Sequence, residues 1–304
     1  MRNLLFPFAL FAAAPALAQD APADPGAPAP NELAFTTEKT RMTVPVSVAG
    51  VGPYRFIIDT GAQRTVISRE LASALNLPRG RRVGLTAMTG RTEVDTVLVP
   101  SISVSSFSGS EIEAPALDRR NMGAPGILGI DTLQDHAVVI DFDRETMKVS
   151  PSKKRKRRSV STPDEIVIVA KSLFGQLVVT DATYRGTKVR VILDTGSEVT
   201  MGNEALRRRV ARAHKGMRDV ELTSVLGDTM IAGYTQIPQV KIGSVTFQNL
   251  PVAFSATAPF RQWGLEDKPA LLLGMDALRL FRRVHIDFAN REVRLALPRN
   301  ARAA

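Results

Sequence analysis

The stretch FIIDTGAQRT, Phe56 to Thr65, decides how this chain folds. Its three apolar residues are typical of a buried strand, yet that strand runs directly into a carboxylate, Asp59, followed by Thr60 and Gly61. Alone, an Asp-Thr-Gly triplet is ordinary turn chemistry, because Asp and Gly are both favoured where a strand ends. The triplet gains meaning only if a related stretch recurs elsewhere in the chain.

Such a recurrence is present. YRFIIDTGAQRT (residues 54–65) matches VRVILDTGSEVT (residues 189–200) in its Arg, its apolar run, its Asp-Thr-Gly and its final Thr. Two further pairs follow downstream in the same order, GILGIDTL with LLLGMDAL and VVIDF with VHIDF. The interval from the first Asp to the downstream glycine is 70 residues in one copy and 80 in the other. Three matched anchors at similar spacing indicate an internal duplication.

Composition and the duplication together predict how the chain is divided. At 304 residues and 44% hydrophobic, it is long enough for two medium-sized cores. The predicted segments are a signal peptide (1–18), a flexible Pro/Ala-rich tether (19–34), an N-terminal lobe (35–150), a basic linker (151–165) and a C-terminal lobe (166–304).

The first eighteen residues, MRNLLFPFALFAAAPALA, indicate export. They combine Arg2, a short apolar stretch and small residues before the expected cleavage site after Ala18. An uncleaved anchor is the alternative, although the apolar stretch is short and contains Pro7. No other segment is predicted to cross a bilayer. With no cysteine, the chain cannot carry a lipid on a cysteine and needs no disulfides despite its expected export. The signal pattern fits a periplasmic or secreted location best, with a eukaryotic secretory route left open.

The net charge of +10 is concentrated in one run, KKRKRR at residues 153–158. Such a run is compatible with nucleic-acid binding or a nuclear signal. No aromatic pattern for base stacking accompanies it, so a solvated linker is the preferred interpretation, and no nucleic-acid partner is predicted.

The motifs DTGA at Asp59 and DTGS at Asp194, with ILG and LLG ending at Gly129 and Gly274, resemble those of the retropepsin-type aspartic proteases. The resemblance covers about Phe35 to Leu297, and each lobe is similar to one subunit of a retroviral protease. It implies a mainly β fold with two retropepsin-like β-barrel lobes, related by an internal pseudo-two-fold axis and carrying short helices.

Two aspartates are suited to peptide hydrolysis that uses neither a metal nor a nucleophilic side chain. A water must lose a proton while the scissile carbonyl gains one, so a carboxylate and a carboxylic acid must face the water together. Two carboxylates about 3 Å apart cannot both ionise and therefore share one proton. Asp59 and Asp194 are the predicted catalytic pair of an aspartic endopeptidase with a polypeptide substrate, no cofactor and no metal.

The resemblance assigns supporting roles to the neighbours of both aspartates. Thr60 and Thr195 are expected to hydrogen-bond across the lobe interface. Gly61 and Gly196 are expected to allow close backbone approach, with their N–H groups facing the carboxylates. Ala62 and Ser197 complete the two loops.

The last pair of loop residues differs, and Ser197 carries a hydroxyl that Ala62 lacks. A hydrogen bond from that hydroxyl to Asp194 would leave Asp59 as the usual proton carrier. Gly129 and Gly274 are expected to let a strand pass beside the catalytic loop. A simple strand-to-helix turn, with the following Asp as N-cap, is compatible with that role.

Two hairpins are expected to cover the substrate. We name LTAMTGRTEV (residues 85–94) flap one and LTSVLGDTMI (residues 222–231) flap two. Ordinary surface hairpins are the alternative. The residues predicted to bind substrate there are Ala87, Met88, Thr89, Gly90, Val225, Leu226 and Gly227.

Helices are expected at Arg69–Leu75 and Glu204–Ala213, capped by Ser68 and Asn203, with short ones starting near Asp131 and Asp276. The three histidines lack ligand spacing and are given structural roles. Trp263 is expected to plug a loop, with a pocket-shaping role as the alternative.

Two functional alternatives stay open. One is a peptide-binding module of the same fold without turnover. The other is a protease assembled from lobes of two chains, although a monomer is expected to suffice because one chain carries both motifs.

Overall fold

The computed structural model describes residues 32–34, 36–38, 41–104, 107–156, 159–173, 176–211 and 216–299. The predicted signal peptide and residues 19–31 of the predicted tether lie outside these ranges. No helix within them has the length and apolar character needed to span a membrane.

In its described residues, the first lobe consists of strands with three short helices. Its elements are β1 Glu32–Ala34, β2 Thr36–Glu38, β3 Arg41–Val48, β4 Val51–Ile58, β5 Val66–Ser68, α1 Arg69–Ala74, β6 Arg79–Ala87, β7 Gly90–Val99, β8 Ile102–Val104, β9 Phe107–Gly109, β10 Ile112–Leu117, α2 Arg119–Met122, β11 Gly126–Leu128, α3 Ile130–Leu133, β12 His136–Asp141 and β13 Thr146–Pro151.

The second lobe is built in the same way. Its elements are β14 Glu165–Leu173, β15 Gln176–Tyr184, β16 Thr187–Leu193, β17 Met201–Gly202, α4 Glu204–Ala211, β18 Arg218–Thr223, β19 Thr229–Ile242, β20 Val245–Phe254, α5 Ala258–Gln262, β21 Ala270–Leu273, α6 Met275–Leu278, β22 Arg283–Asp287 and β23 Glu292–Ala296.

Corresponding strands pair in corresponding ways in the two lobes. β4 lies parallel to β11, with Ile57 opposite Ile127, and β16 lies parallel to β21, with Ile192 opposite Leu272. The prediction of a mainly β protein with two β-sheet lobes and few short helices is confirmed. The matched pairings are compatible with the predicted internal symmetry. They bring the end of each Asp-bearing strand beside the glycine that follows the neighbouring strand.

One sheet joins the lobes. The strands β1, β13 and β12 of the first lobe continue into β22, β23 and β14 of the second. Across this junction Val138 lies opposite Ile286 and Ile140 opposite Val284, and all four side chains are buried. They belong to an apolar cluster containing residues of both lobes. The two halves therefore share a backbone ladder and a core, and burial of apolar surface holds them together.

Helix caps follow the local sequence. The Ser68 hydroxyl accepts a hydrogen bond from Leu71 N at the start of α1, and Asn203 Oδ1 accepts one from Leu206 N at the start of α4. Both predicted caps are confirmed. The helices α3 and α6 begin one residue before Asp131 and Asp276, where they were expected to start. The N-cap residues are Gly129 and Gly274, so the expectation that the aspartates are the N-caps is wrong.

Two segment boundaries differ from the predicted ones. Glu32–Ala34, which the sequence pattern assigned to the tether, pairs antiparallel with β13 as an edge strand. In the predicted basic linker, Pro151 ends β13 and Glu165 begins β14. The composition of these stretches did not reveal the pairing, because their partners lie far away in the sequence.

Among the described residues of the basic run, Arg155 anchors the segment through its side chain. Arg155 Nη2 contacts Asp287 Oδ2 at 3.0 Å and Glu292 Oε1 at 2.7 Å, and Ser159 N donates to Glu292 Oε2. Lys153, Lys154 and Lys156 are exposed, as expected for a solvated linker. That interpretation is wrong for Arg155, which ties the segment to the β22–β23 hairpin.

Glu292 explains the strength of this anchor. Its side chain is 1% exposed. Burial alone would raise the pKa of Glu292, but hydrogen bonds from Ser159 and the charges of Arg155 and Arg294 outweigh burial and lower it. The ionised form is therefore the one that stabilises the fold.

Replacing Arg155 with Ala should lower the free energy of unfolding by about 1–2 kcal/mol at pH 7, because a buried carboxylate loses its main cation. Urea denaturation measures the change, and exposed Lys154→Ala is the matched control, expected within about 0.5 kcal/mol of wild type. Because the pKa of Glu292 is lowered, the difference should shrink as pH falls through that pKa. Equal stability of the two variants at pH 7 would contradict the anchor.

Candidate active site

Each aspartate follows the buried end of a strand. β4 ends at Ile58 and β16 at Leu193, and the next residues are Asp59 and Asp194. Asp59 N donates to Leu128 O at 3.0 Å, and Asp194 N donates to Leu273 O at the same distance. The parallel neighbour strand thus fixes the backbone of each aspartate in the same manner.

The loop after each aspartate folds back on its own carboxylate. Gly61 N and Ala62 N donate to Asp59 Oδ1 at 2.8 and 2.9 Å. In the second lobe Gly196 N and Ser197 N donate to Asp194 Oδ1 at 3.0 and 3.1 Å. Backbone N–H groups therefore face both carboxylates, as the resemblance implied.

The glycines bring the two carboxylates face to face. A Cβ atom added to Gly61 would lie 2.7 Å from Cγ of Asp194, and one added to Gly196 would collide with Cγ of Asp59. Each carboxylate therefore packs on the glycine of the opposite loop. Any larger residue at either position would push the two aspartates apart.

Reciprocal hydrogen bonds between the threonines lock the two loops together. Thr60 N donates to Thr195 Oγ1 at 3.1 Å, and Thr195 N donates to Thr60 Oγ1 at 3.2 Å. Each hydroxyl then donates to the opposite strand end, Thr60 to Leu193 O and Thr195 to Ile58 O. Both threonines are buried, so every one of these polar groups has its partner within the protein.

The pKa of Asp194 is raised well above its ordinary value. Burial is the main cause, followed by the negative charge of Asp59 and a hydrogen bond with the Asp59 side chain. The pair therefore holds a proton between its two carboxyl groups.

The expected hydrogen bond from the Ser197 hydroxyl to Asp194 is absent, because that hydroxyl donates to Val199 O at 2.8 Å. The prediction that Ser197 makes Asp194 the more readily ionised aspartate is wrong. Only the backbone N–H of Ser197 bonds to Asp194, and Ala62 supplies the same group to Asp59.

A second layer supports the loops from below. Asp131 accepts hydrogen bonds from N and Oγ1 of Thr65, and Thr65 Oγ1 accepts one from Gly129 N. The second lobe repeats this arrangement with Asp276, Thr200 and Gly274. The sequence analysis did not assign this role to the two Asp–Thr pairs, although all four residues lie within the matched anchors.

The downstream glycines have a steric role. A Cβ added to Gly129 would collide with the backbone carbonyl carbon of Arg64, and one added to Gly274 would lie 2.7 Å from that of Val199. Only glycine lets the strand pass so close to the catalytic loop, which is the role that the resemblance implied.

Gln176 contacts the first loop from the opposite lobe. It lies at the start of β15, is fully buried, and donates from Nε2 to Gly61 O at 2.8 Å. Sequence reasoning missed it, since nothing in the local pattern of a strand residue indicates a partner 115 positions away.

The two loops open into a cavity of about 440 Å³ beneath the flaps. Nine predicted site residues line it: Asp59, Gly61, Ala62, Ala87, Met88, Asp194, Gly196, Ser197 and Val225. Thr60 and Thr195 lie beneath the floor. The predicted flap residues Thr89, Gly90, Leu226 and Gly227 are not among the lining residues.

The family model of aspartyl proteases matches residues 44–132 and 180–277, one range in each lobe and together more than half of the chain. The chain belongs to the aspartyl protease family. No curated protein matches it.

Each flap of this aspartyl protease reaches across to the other lobe. Met88 of flap one packs against an apolar cluster around Trp263, and its carbonyl accepts a hydrogen bond from Ala258 N at 3.1 Å. In flap two, Leu226 packs against first-lobe residues, and its carbonyl accepts a hydrogen bond from Asn121 Nδ2 at 3.0 Å. The hairpins thus cover the cavity.

The turns of the two flaps touch each other and differ in conformation. Thr89 Oγ1 donates to Asp228 Oδ2 at 3.3 Å and so links the two tips. Gly227 adopts a positive φ of 90° in its turn, whereas Gly90 begins the returning strand of a hairpin that turns at Met88 and Thr89.

Sequence reasoning missed part of the cavity wall. Trp263 lines it and is 7% exposed, so the pocket-shaping alternative describes it better than an isolated plug. Further lining residues without a prior assignment include Gln63, Arg64, Gly84, Glu198, Val199, Glu221, Pro259 and Gln262. The spacing of Gln63 and Arg64 after Asp59, matched by Glu198 and Val199 after Asp194, was the signal available for these four.

Replacing Thr195 with Val keeps the shape of the side chain but removes its hydroxyl. Thr60 N and Ile58 O would then lose their partners in a buried site, so the free energy of unfolding should fall by about 2–3 kcal/mol. Thr195→Ser keeps the hydroxyl and is the matched control. If chemical denaturation finds the Val variant as stable as the Ser variant, the threonine bonds do not hold the lobes.

Replacing Asp194 with Asn should change how stability depends on pH. The folded protein keeps Asp194 protonated above pH ~4, where the unfolded chain releases that proton, so wild type loses stability as pH rises toward the raised pKa. The Asn variant has no such proton. Between pH 4 and 7 it should gain stability relative to wild type by more than the ~0.5 kcal/mol of a neutral substitution. Parallel stability curves would show that the pKa of Asp194 is not raised.

Proposed function

We propose that this protein is an aspartic endopeptidase that hydrolyses peptide bonds with a water activated between Asp59 and Asp194. One observation carries the proposal: two carboxylates from separate lobes face each other across Gly61 and Gly196 on the floor of a covered cavity. Burying two like-charged groups together is costly, so an arrangement that holds them there indicates a use for the shared proton.

The geometry supports general acid–base catalysis. The Asp59 carboxylate takes a proton from the water while that water attacks the peptide carbonyl, and Asp194 gives its proton to the carbonyl oxygen. The product is a neutral tetrahedral diol. Its collapse breaks the C–N bond, passes a proton to the leaving amine and leaves one proton on the pair. No covalent bond to the protein forms.

The backbone around the pair favours this chemistry. Two N–H groups donate to Oδ1 of each aspartate and fix the orientation of both carboxylates before substrate binds. Catalytic groups held in place in this way need little rearrangement during the reaction.

The cavity walls favour apolar side chains beside the scissile bond. The first lobe presents Val66 and Ile127, and the second presents Met201, Leu272 and Trp263. The flaps are hairpins, whose strands are suited to an extended peptide. We therefore expect cleavage between apolar residues of an extended chain segment.

Incubation with a peptide library, read by mass spectrometry, tests the proposal. Asp59→Asn and Asp194→Asn should each lower kcat/KM at least a thousandfold, since either change removes one half of the acid–base pair. Binding of an uncleaved peptide should persist. If wild type binds peptides without cleaving them, the chain is a peptide-binding module instead.

The same two variants separate a single-chain site from one shared between chains. In the described structure both aspartates of the pair belong to one chain, so a mixture of Asp59→Asn and Asp194→Asn proteins should stay inactive. Activity regained on mixing would show that lobes of different chains combine into a working site.

A further inference from the structure

Beyond the aspartate pair, one basic and two acidic side chains line the cavity. Arg64 belongs to the first lobe, and Glu198 and Glu221 belong to the second. Arg64 is half-buried and forms no ion pair with any part of the chain that the structure describes. A partly buried guanidinium in a substrate cavity, with no direct ion-pair partner among the described residues, is a candidate for contact with a substrate carboxylate.

The duplication provides an internal comparison. Arg64 stands five residues after Asp59, and the residue five after Asp194 is Val199. One position earlier, Gln63 of the first lobe corresponds to Glu198 of the second. The loops share the aspartate, threonine and glycine but differ in charge, and both differences make the second lobe more negative.

The flaps differ in the same direction. When the two flaps are aligned on their shared Leu-Thr pairs, Gly84 corresponds to Glu221 just before each flap, and Arg91 corresponds to Asp228 just after each tip. Both Gly84 and Glu221 line the cavity. At three matched positions that line the cavity, therefore, the first lobe carries the more positive residue of the pair.

Arg91 brings a second positive charge close to the first-lobe wall. A Cβ on Gly84 would lie 2.6 Å from Arg91 Nη2 and 2.7 Å from Nε, so the guanidinium rests on this glycine. Glu93, which faces Gly84 in the hairpin, is exposed and is not part of the cavity wall.

The two acids of the second lobe are not equivalent. Glu198 interacts electrostatically with Arg279, so its negative charge is partly compensated within the protein. Glu221 is exposed on β18 and forms no ion pair within the described ranges. A basic side chain of the substrate would therefore meet Glu221 first.

We propose that the cavity selects substrates by charge and binds an Asp or Glu side chain of the peptide at Arg64, on the first-lobe side of the scissile bond. This rests on the proposed peptidase function. The second-lobe side, with Val199 and Glu221, disfavours an acid and accepts an apolar or basic side chain. Because the charges lie on opposite lobes, the cavity also sets the direction in which the peptide binds.

The guanidinium suits this role for a physical reason. It stays charged at every working pH and presents paired donors that match a carboxylate. Attraction in a half-buried site exceeds that at an open surface, and added salt weakens it. Selection of this kind appears in kcat/KM as a difference between charged and neutral versions of one peptide.

The test uses one good library substrate in which Gln and Glu are exchanged, one position at a time, on both sides of the scissile bond. The assays run at pH 5.5, where a peptide Glu is ionised. At one position wild type should cleave the Glu peptide about 5- to 10-fold better than the Gln peptide, and less so in 0.5 M salt. On the opposite side of the scissile bond Glu should be disfavoured.

Arg64→Val copies the residue at the matching place in the second lobe and should bring that Glu/Gln ratio to about 1. Arg64→Glu should lower the Glu/Gln ratio below 1 and should favour a Lys peptide at that position. Exposed Arg208→Val on α4, outside the cavity wall, is the control of equal charge change and should keep the wild-type ratio.

The charge proposal is overturned if wild type cleaves Glu and Gln peptides equally at every position, or if the Glu/Gln ratio is unchanged in Arg64→Val. Either result leaves the proposed peptidase function standing. If wild type cleaves no peptide, the peptidase proposal fails, and the charge proposal is decided by fluorescence anisotropy with the same labelled peptides. Wild type must then bind Glu peptides more tightly than Arg64→Val does, and equal affinities overturn it.

Discussion

The structure depends on holding two buried carboxylates face to face, an arrangement that their mutual repulsion opposes unless they share a proton. The reciprocal bonds between Thr60 and Thr195 supply the restraint. Each hydroxyl accepts from the opposite loop and donates to the end of the opposite strand, so neither loop can move without breaking bonds in both lobes. Gly61 and Gly196 then leave room only for the opposite carboxylate.

Every larger feature of the fold serves this contact. The parallel pairs β4–β11 and β16–β21 place each aspartate at a strand end, and Asp131 and Asp276 brace the loops from the side of the helices. The sheet formed by β12, β22 and their neighbours joins the lobes through a shared core. The aspartate pair is therefore complete within one chain of an aspartyl protease.

Duplication explains both the likeness and the difference of the halves. The aspartate, threonine and glycine that touch the opposite lobe's loop are the same in both halves, because each half needs the other's loop in the same place. Other residues that face the cavity can differ between the two halves. There Arg64 of the first lobe corresponds to Val199 of the second, and Gly84 corresponds to Glu221. A cavity built from two copies thus acquires two different walls.

The sequence by itself determined the mainly β fold, the aspartate pair, the two glycine loops, the helix caps at Ser68 and Asn203 and the positions of both flaps. These follow from local patterns, and the duplication made each pattern visible twice. Tertiary structure alone decided that Gln176 holds Gly61, that Arg155 pairs with Glu292, that Glu32–Ala34 joins a sheet and that the Ser197 hydroxyl bonds to Val199 instead of Asp194. The first three join residues more than a hundred positions apart, and the last is a choice between two acceptors within reach. Only the packed chain settles such choices, because a hydrogen bond forms with whichever partner the surrounding structure brings into line.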